Sequence, residues 1–144
     1  MSFNRRGFTL IEMIVVLVVI AVLAALVGPM VFGNVADARV QGARAQIEML
    51  GLALDSYRLD NDYYPTTAQG LDALRRAPSA DPPPRRWRGP YLRKDVPPDP
   101  WGRPFVYRSP GNEGRDYEIV SLGRDGREGG SGEDADINSW ETFR

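Results

Sequence analysis

The chain has 144 residues with 18 basic and 19 acidic side chains, and its formal net charge is −1. Composition therefore gives no bulk electrostatic reason to expect nucleic acid or an acidic ligand as a partner. The chain contains no cysteine and no histidine, which excludes disulfide bonds, histidine-based triads and histidine-ligated zinc. Apart from an apolar N-terminal stretch, about 115 residues remain, enough for one modest hydrophobic core but not for two domains.

The first predicted element is a membrane-spanning helix. Residues 8–27 form an apolar run in which Glu12 is the only charged residue. Twenty helical residues rise about 30 Å, which matches the thickness of the hydrocarbon core of a bilayer. Arg5 and Arg6 precede the run, so the positive-inside rule predicts a cytoplasmic N-terminus and a remainder that crosses the membrane.

Glu12 is unusual in this position, because a carboxylate one turn into an apolar span costs a few kcal/mol unless its charge is compensated. One interpretation makes it an interfacial residue that the N-terminal end of the helix dipole stabilises. The other interpretation is functional and gives Glu12 a cationic partner inside the membrane or inside an assembly.

The residues before Glu12 carry a family resemblance. A short basic leader ends in Gly7, and Phe8-Thr9-Leu10-Ile11-Glu12 follows at once. This resembles the class III leader of type IV pilins and type II secretion pseudopilins. The resemblance implies that a prepilin peptidase cuts after Gly7, that Phe8 is then N-methylated, and that Glu12 neutralises an N-terminal ammonium during assembly. A conventional signal-peptide cut near Ala25 also fits the small residues found there.

An amphipathic helix section is predicted beyond the span. Gly28-Pro29 interrupts the apolar run and predicts either a kink at the membrane surface or a point where the helix stretches during packing. Apolar residues then recur at alternating steps of four and three, at Ala36, Val40, Ala43, Ile47, Leu50, Leu54 and Tyr57. This spacing predicts a stripe that packs on its own domain, with a partner coiled coil as the alternative. The whole helix, from Phe8 to about Leu59, would be about 75 Å long and end at residues 60–62.

The following stretch narrows the resemblance to one branch. Tyr-Pro-Thr-Thr at 64–67, Gln-Gly-Leu at 69–71 and Asp-Pro-Trp-Gly at 99–102 resemble the major pseudopilins of type II secretion, the protein G family. Independently of the resemblance, Thr66 or Thr67 is predicted to cap a short helix that Pro78 stops.

Residues 79–104 are rich in proline and interleave basic residues with aromatic ones, a composition that also occurs in proteins that bind single-stranded nucleic acid. We interpret the segment instead as an extended, solvated surface loop, because proline disfavours regular structure and such loops are often cationic. Trp101 near its end is predicted to fill the core beneath the loop, with a role in subunit contacts as the alternative.

Two short strands, residues 105–107 and 117–120, are predicted on either side of a turn at 109–114. These elements predict an α+β fold in which the long N-terminal helix packs on a small antiparallel sheet. The resemblance implies that this fold is pilin-like and carries a C-terminal metal loop. The predicted divisions are a leader at 1–7, the transmembrane half of the helix at 8–28 and a periplasmic globular domain at 29–144.

The C-terminal loop, residues 121–137, is crowded with carboxylates and glycines. Hard oxygen donors on a flexible backbone favour calcium over zinc or iron, and a disordered acidic surface loop is the alternative. Apolar positions from Ile137 to Trp140 are suited to return the chain to the sheet. The family resemblance implies a calcium site whose ligands are the carbonyls of Leu122 and Arg127 and the carboxylates of Asp125, Asp136 and, as the poorer match, Asp134.

The resemblance implies a structural subunit rather than an enzyme. The chain would polymerise as the major subunit of the type II secretion pseudopilus and drive export of folded proteins across the outer membrane. Its implied partners are copies of itself, minor pseudopilins, the prepilin peptidase and the inner-membrane assembly platform. A type IV or DNA-uptake pilin is the alternative, disfavoured because a C-terminal cysteine pair is absent. A membrane-tethered hydrolase is a third hypothesis, but no nucleophile or oxyanion motif is evident.

Overall fold

The computed structural model describes residues 7–141, so residues 1–6 of the predicted leader, with Arg5 and Arg6, lie outside the described residues. One long helix, α1, spans Leu10–Asn61. Three short strands follow it, namely β1 (Val106–Arg108), β2 (Glu118–Ser121) and β3 (Ile137–Asn138). Short 3₁₀ helices lie at Leu71–Leu74, Asn112–Gly114 and Gly132–Asp134. The chain divides into two compact units, Met1–Ala36 and Asp37–Arg144.

The first unit contains the apolar start of α1. Its window Leu10–Val27 has a mean hydropathy of 3.2, and none of it is buried. By length and composition this stretch is able to cross a membrane, although an N-terminal signal sequence passes the same test. The helix continues through Gly28 and Pro29, so neither residue ends it.

The second unit has its own hydrophobic core, built on the predicted stripe of α1. The buried stripe residues are Ala43, Ile47, Leu50, Leu54 and Tyr57. Ile119 of β2 and Ile137 of β3 belong to the same buried cluster, together with Leu71 and Leu74 of the first 3₁₀ helix. The prediction that the stripe packs on its own domain is therefore confirmed.

Aromatic side chains complete this core. Tyr57 meets Tyr91 edge to face, with ring centroids 5.5 Å apart, and Tyr64 meets Tyr117 at 4.8 Å. Burial raises the pKa of Tyr117 to about 12 and raises the pKa of Tyr57 further. These phenols therefore remain neutral at every pH at which the protein is expected to work.

The sheet has the order β1-β2-β3, and both strand pairs are antiparallel. The two predicted strands and their hairpin are confirmed, but each strand lies one residue further along the chain than predicted. Arg108 pairs with Glu118 in this register, and their side chains form an ion pair at 3.6 Å, which favours it. Strand β3 pairs Ile137 with Ser121 and confirms that the chain returns to the sheet after the C-terminal loop.

The predicted cap of the short helix was wrong. The Thr66 hydroxyl accepts a hydrogen bond from the Gln69 amide at 3.3 Å, and the Thr66 amide donates to Gln69 Oε1 at 3.0 Å. These reciprocal bonds form a capping box around one turn, which ends at Gly70 with a φ of +64°. The 3₁₀ helix Leu71–Leu74 starts only after that glycine, without a side-chain cap, and it ends well before Pro78.

Residues 79–104 form the predicted surface loop, and a few side chains attach it to the core. Leu92 is buried, and the Trp87 indole donates to the Ala73 carbonyl at 3.0 Å. Trp101 packs against the core cluster, as predicted. The anchors are apolar or aromatic, and the basic side chains of the loop are exposed except for Arg103, which is half-buried.

Leu54→Ala is expected to cost about 2–4 kcal/mol of unfolding free energy, because Leu54 is fully shielded and its removal leaves a cavity. Leu52→Ala is the matched control, because Leu52 lies two residues away on the same helix and is 68% exposed. Its expected cost is below about 0.5 kcal/mol. The measurement is urea unfolding followed by tryptophan fluorescence. Equal losses in the two variants would show that the stripe is not the core face.

Candidate functional site

The N-terminal candidate site lies at the start of α1. Phe8 is 77% exposed, and α1 begins two residues later at Leu10. The Glu12 amide donates to the Thr9 hydroxyl at 3.3 Å, so Thr9 is the N-cap of α1. Thr-Leu-Ile-Glu at 9–12 has the residue types of a capping box, a pattern that the sequence analysis overlooked.

The surroundings of this site are open. A Cβ on Gly7 would meet nothing within 4 Å, so no described residue packs against this glycine. Among the described residues 7–141, no cationic side chain forms an ion pair with the Glu12 carboxylate. The helix dipole stabilises this charge only in part, and the apolar side chains that follow it are exposed. Lipid or another protein chain has to shield the apolar side chains and compensate the Glu12 charge.

A turn at residues 99–103 supports the C-terminal candidate site. Asp99 is 3% exposed, and its Oδ1 accepts hydrogen bonds from the amides of Trp101 and Arg103 at 3.0 and 2.8 Å. Its Oδ2 accepts a bond at 2.7 Å from the hydroxyl of Ser121, which is fully buried in β2. Asp99 thus holds its own turn closed and attaches the turn to the sheet.

Arg103 carries this support into the C-terminal loop. Its guanidinium donates to the carbonyl of Gly123 at 3.0 Å and also to the carbonyl of Arg124. A Cβ on Gly126 would lie 2.5 Å from Arg103 Nε, so a larger residue there would require the arginine side chain to shift. Nothing in the local sequence around Arg103 distinguishes it from other surface arginines, so its role is visible only in the structure.

The C-terminal loop is closed by its own backbone. The Arg124 amide donates to the Glu133 carbonyl at 2.8 Å, and the Gly126 amide donates to the Leu122 carbonyl at 3.2 Å. Gly123 has a φ of +61°, and a Cβ there would lie 2.7 Å from the Glu133 carbonyl oxygen. The two limbs of the loop therefore meet at a position that only glycine can occupy.

The predicted calcium ligands differ in their hydrogen-bond partners. Asp125 and Asp136 accept bonds from backbone amides and not from arginine side chains. Asp136 Oδ2 accepts from the Gly129 amide at 2.9 Å, while its Oδ1 is buried without a hydrogen-bond partner. Asp125 Oδ1 accepts from the Arg127 amide at 3.0 Å. A buried carboxylate oxygen without a partner is costly, and a cation would satisfy it. The donors present, carboxylate and carbonyl oxygens, are those that calcium prefers.

Asp134 is arranged differently. Both of its carboxylate oxygens accept from Arg124, from Nε at 2.8 Å and from Nη2 at 2.9 Å. These bonds raise the pKa of Arg124 above its ordinary value. Across the described part of the chain, no group of three acidic side chains is placed to hold a metal ion. A metal here would therefore need the backbone carbonyls of Leu122 and Arg127 beside the aspartates.

Asp99→Ala is expected to lower the free energy of unfolding by about 2–3 kcal/mol, because two amides and a buried hydroxyl lose a charged acceptor. Asp95→Ala is the control, because Asp95 is 79% exposed and pairs with Arg75 at the surface. Its expected cost is at most about 1 kcal/mol. Urea unfolding distinguishes the two. A loss at position 99 no larger than at position 95 would contradict the anchoring role of Asp99.

The first half of the long helix is apolar and exposed. Its second half packs with the three-stranded antiparallel sheet in the unit Asp37–Arg144, which we call the head. This arrangement defines a pilin-like subunit. The family described as "Prokaryotic N-terminal methylation motif" matches residues 2–28, and the family "Type II secretion system (T2SS), protein G" matches residues 30–140. The chain belongs to the protein G family of the type II secretion system, whose members are structural pseudopilins and not enzymes.

Individual relatives agree with this assignment. The chain is 47% identical over 138 residues to the type II secretion system core protein G of Pseudomonas aeruginosa, with 96% of each chain covered. It is also 47% identical over 138 residues to core protein G of Vibrio cholerae, covering 95% of this chain and 92% of that protein. The crystal structure of the major pseudopilin from enterohaemorrhagic Escherichia coli superposes with a TM-score of 0.65 at 40% identity, covering 76% of this chain and 92% of the other.

These matches decide between the hypotheses drawn from the sequence. The predicted pilin-like fold and the predicted family are confirmed. The hydrolase hypothesis is wrong, because the family is structural. The pilin alternative is not favoured, because the matches are to pseudopilins of type II secretion. The metal ligands and the N-terminal cut remain predictions.

Proposed function

We propose that the chain polymerises through the first half of α1 into the periplasmic pseudopilus, whose growth pushes folded proteins through the outer membrane. The observation that carries this proposal is the exposed apolar window Leu10–Val27, none of which is buried although its mean hydropathy is 3.2. Exposed apolar surface of this extent needs a cover. Lipid covers it in the single subunit, and neighbouring copies cover it in the filament.

The proposed topology combines this window with Arg5 and Arg6, the basic residues that precede it. The N-terminus remains in the cytoplasm, the window crosses the inner membrane once, and the head lies in the periplasm. The head has a core of its own, so it stays folded whether its subunit is in the membrane or in the filament. The proposed partners are copies of the chain, minor pseudopilins, the prepilin peptidase and the inner-membrane assembly platform, but no nucleic acid.

The proposed processing removes residues 1–7 and methylates the new N-terminus at Phe8. The N-methylation motif at residues 2–28 and the open position of Gly7 support it. Cleavage creates an ammonium at Phe8, four positions before Glu12, and this group is the proposed partner of the Glu12 carboxylate in a neighbouring subunit or in the same one. Two opposite charges recover part of their desolvation cost when they meet in an apolar environment.

The proposed calcium site holds the C-terminal loop together. The unpartnered Oδ1 of Asp136, the Asp125 carboxylate and the carbonyls of Leu122 and Arg127 support it. Bound calcium would bring these oxygens together and oppose the repulsion between the carboxylates. Because the ion binds only the folded loop, its binding free energy adds to the folding free energy of the head.

Intact-mass measurement of the protein purified from membranes tests the proposed function at its first step. The expected mass lacks residues 1–7 and carries one additional methyl group, and the same material is expected to sediment as filaments when the secretion apparatus is present. A soluble, monomeric protein that begins after Ala25 would instead show that the apolar stretch is a conventional signal peptide, and the proposal would fail.

A further inference from the structure

The side chain of Arg124 is the centre of an ion-pair network that the proposed calcium site does not use. Its guanidinium meets both oxygens of Asp134, at 2.8 and 2.9 Å, and its Nη1 lies 3.3 Å from Glu133 Oε2. Paired, parallel bonds between guanidinium and carboxylate are among the stronger side-chain contacts, because the planar donors match the two acceptor oxygens.

Glu133 extends this network to the long helix. Its Oε1 is buried and lies 3.7 Å from Arg39 of α1, which is too long for a hydrogen bond but within ion-pair distance. Only 18% of the Glu133 side chain is exposed. We name the four residues Arg39, Arg124, Glu133 and Asp134 the arginine clasp. It joins one limb of the loop to the other and joins both to the helix.

The clasp divides four of the five acidic side chains of the loop into two sets, and the exposed Glu128 belongs to neither. Asp134 has both oxygens occupied by Arg124, and Glu133 faces two arginines. Asp136 keeps a buried oxygen without a partner, and Asp125 accepts a bond from the Arg127 amide through Oδ1 alone. The first set is neutralised by arginine. Within residues 7–141, neither Asp125 nor Asp136 forms an ion pair with a basic side chain, although Arg124 is close enough to Asp125 to interact with it electrostatically.

We propose that the arginine clasp closes the C-terminal loop onto α1 without any metal, and that it leaves Asp125 and Asp136 as the carboxylates for calcium. Asp134 is then a positioning residue and not a calcium ligand. The first half of this inference is independent of calcium, whereas the second half rests on the calcium site proposed above.

The first arm of the test measures thermal unfolding of the detergent-solubilised full chain in a calcium chelator, by tryptophan fluorescence. Arg124→Gln and Asp134→Asn are each expected to lower the midpoint by about 2–6 °C. The double variant is expected to lie within about 1 °C of the lower single variant, because the two residues act through one contact. Arg85→Gln is the control: it breaks an ion pair with Asp62 whose side chains are 75% and 74% exposed, and its midpoint should not move.

The second arm measures calcium binding by calorimetry. Arg124→Gln and Asp134→Asn are expected to keep one site with a Kd within about threefold of the unsubstituted chain, whereas Asp136→Asn weakens it at least about tenfold. Loss of binding in Asp134→Asn, or tighter binding in Arg124→Gln, would show that Asp134 is a ligand for which Arg124 competes.

Additive losses or unchanged midpoints in chelator overturn the clasp itself. If the unsubstituted chain binds no calcium, the calcium site and the division of carboxylates both fail, while the chelator arm still decides on the clasp.

Discussion

Replacing Glu12 with alanine or with glutamine is expected to abolish filament assembly and to lower protein export at least about tenfold, while the head stays folded. Either change removes the carboxylate proposed to meet an N-terminal ammonium, and an unmatched charge in an apolar environment costs a few kcal/mol. The measurement is an export assay with the variant as the sole copy of the subunit, together with sedimentation of filaments from the same cells.

The two substitutions separate the charge of Glu12 from its position at the helix start. Glutamine still fits the capping box with Thr9, whereas alanine does not. Thr9→Ala is the complementary control, because it removes the cap and keeps the charge, and it is expected to assemble. If Glu12→Gln assembled normally, the carboxylate would be an interfacial capping residue, and the pairing with an ammonium would be wrong.

Calcium is expected to raise the thermal unfolding midpoint of the head strongly. At a free concentration a thousandfold above Kd, binding adds about 4 kcal/mol, which corresponds to about 15–30 °C for a domain of this size. Excess chelator should reverse the shift. Asp136→Asn is expected to abolish most of it, because this carboxylate carries the buried oxygen without a partner. The measurement is a pair of melting curves for each variant, in calcium and in chelator.

Asp81→Asn serves as the matched control for this experiment. It removes one negative charge from an exposed position in the surface loop, so it should keep the full calcium shift. If the unfolding midpoint of the unsubstituted protein did not respond to calcium, the proposal that calcium stabilises this fold would be wrong. An equal shift in Asp136→Asn would place the ion elsewhere.

Local sequence patterns predicted the long helix and its two different halves. The apolar run at 8–27 is continuous. The stripe that ends at Tyr57 repeats every three to four residues, and this periodicity directly reflects which face of the helix is shielded. The strands and their hairpin were predicted to within one residue. Their register places Arg108 opposite Glu118, and the alternation of apolar residues alone does not specify that pairing.

The candidate site was predicted only in part. Residue types and spacing indicated an oxygen-rich loop at 121–137, and the family resemblance suggested which of its residues bind an ion. The sequence did not predict the side chains that hold this loop in place, Asp99 and Arg103. Asp99 reaches Ser121 across 22 positions and Arg103 reaches Gly123 across 20, and the sequence holds many arginines and aspartates that are chemically equal candidates for such contacts.

The sequence by itself therefore determined that this protein has an apolar N-terminal helix, an amphipathic continuation and an acidic C-terminal loop. These features follow from composition and from contacts between near neighbours in the chain. Only the tertiary structure decided that Asp134 pairs with Arg124 while Asp136 keeps a buried oxygen without a partner. The physical reason is that charge attraction is not selective among identical groups, so the packed backbone chooses the pairs by bringing some of them within reach.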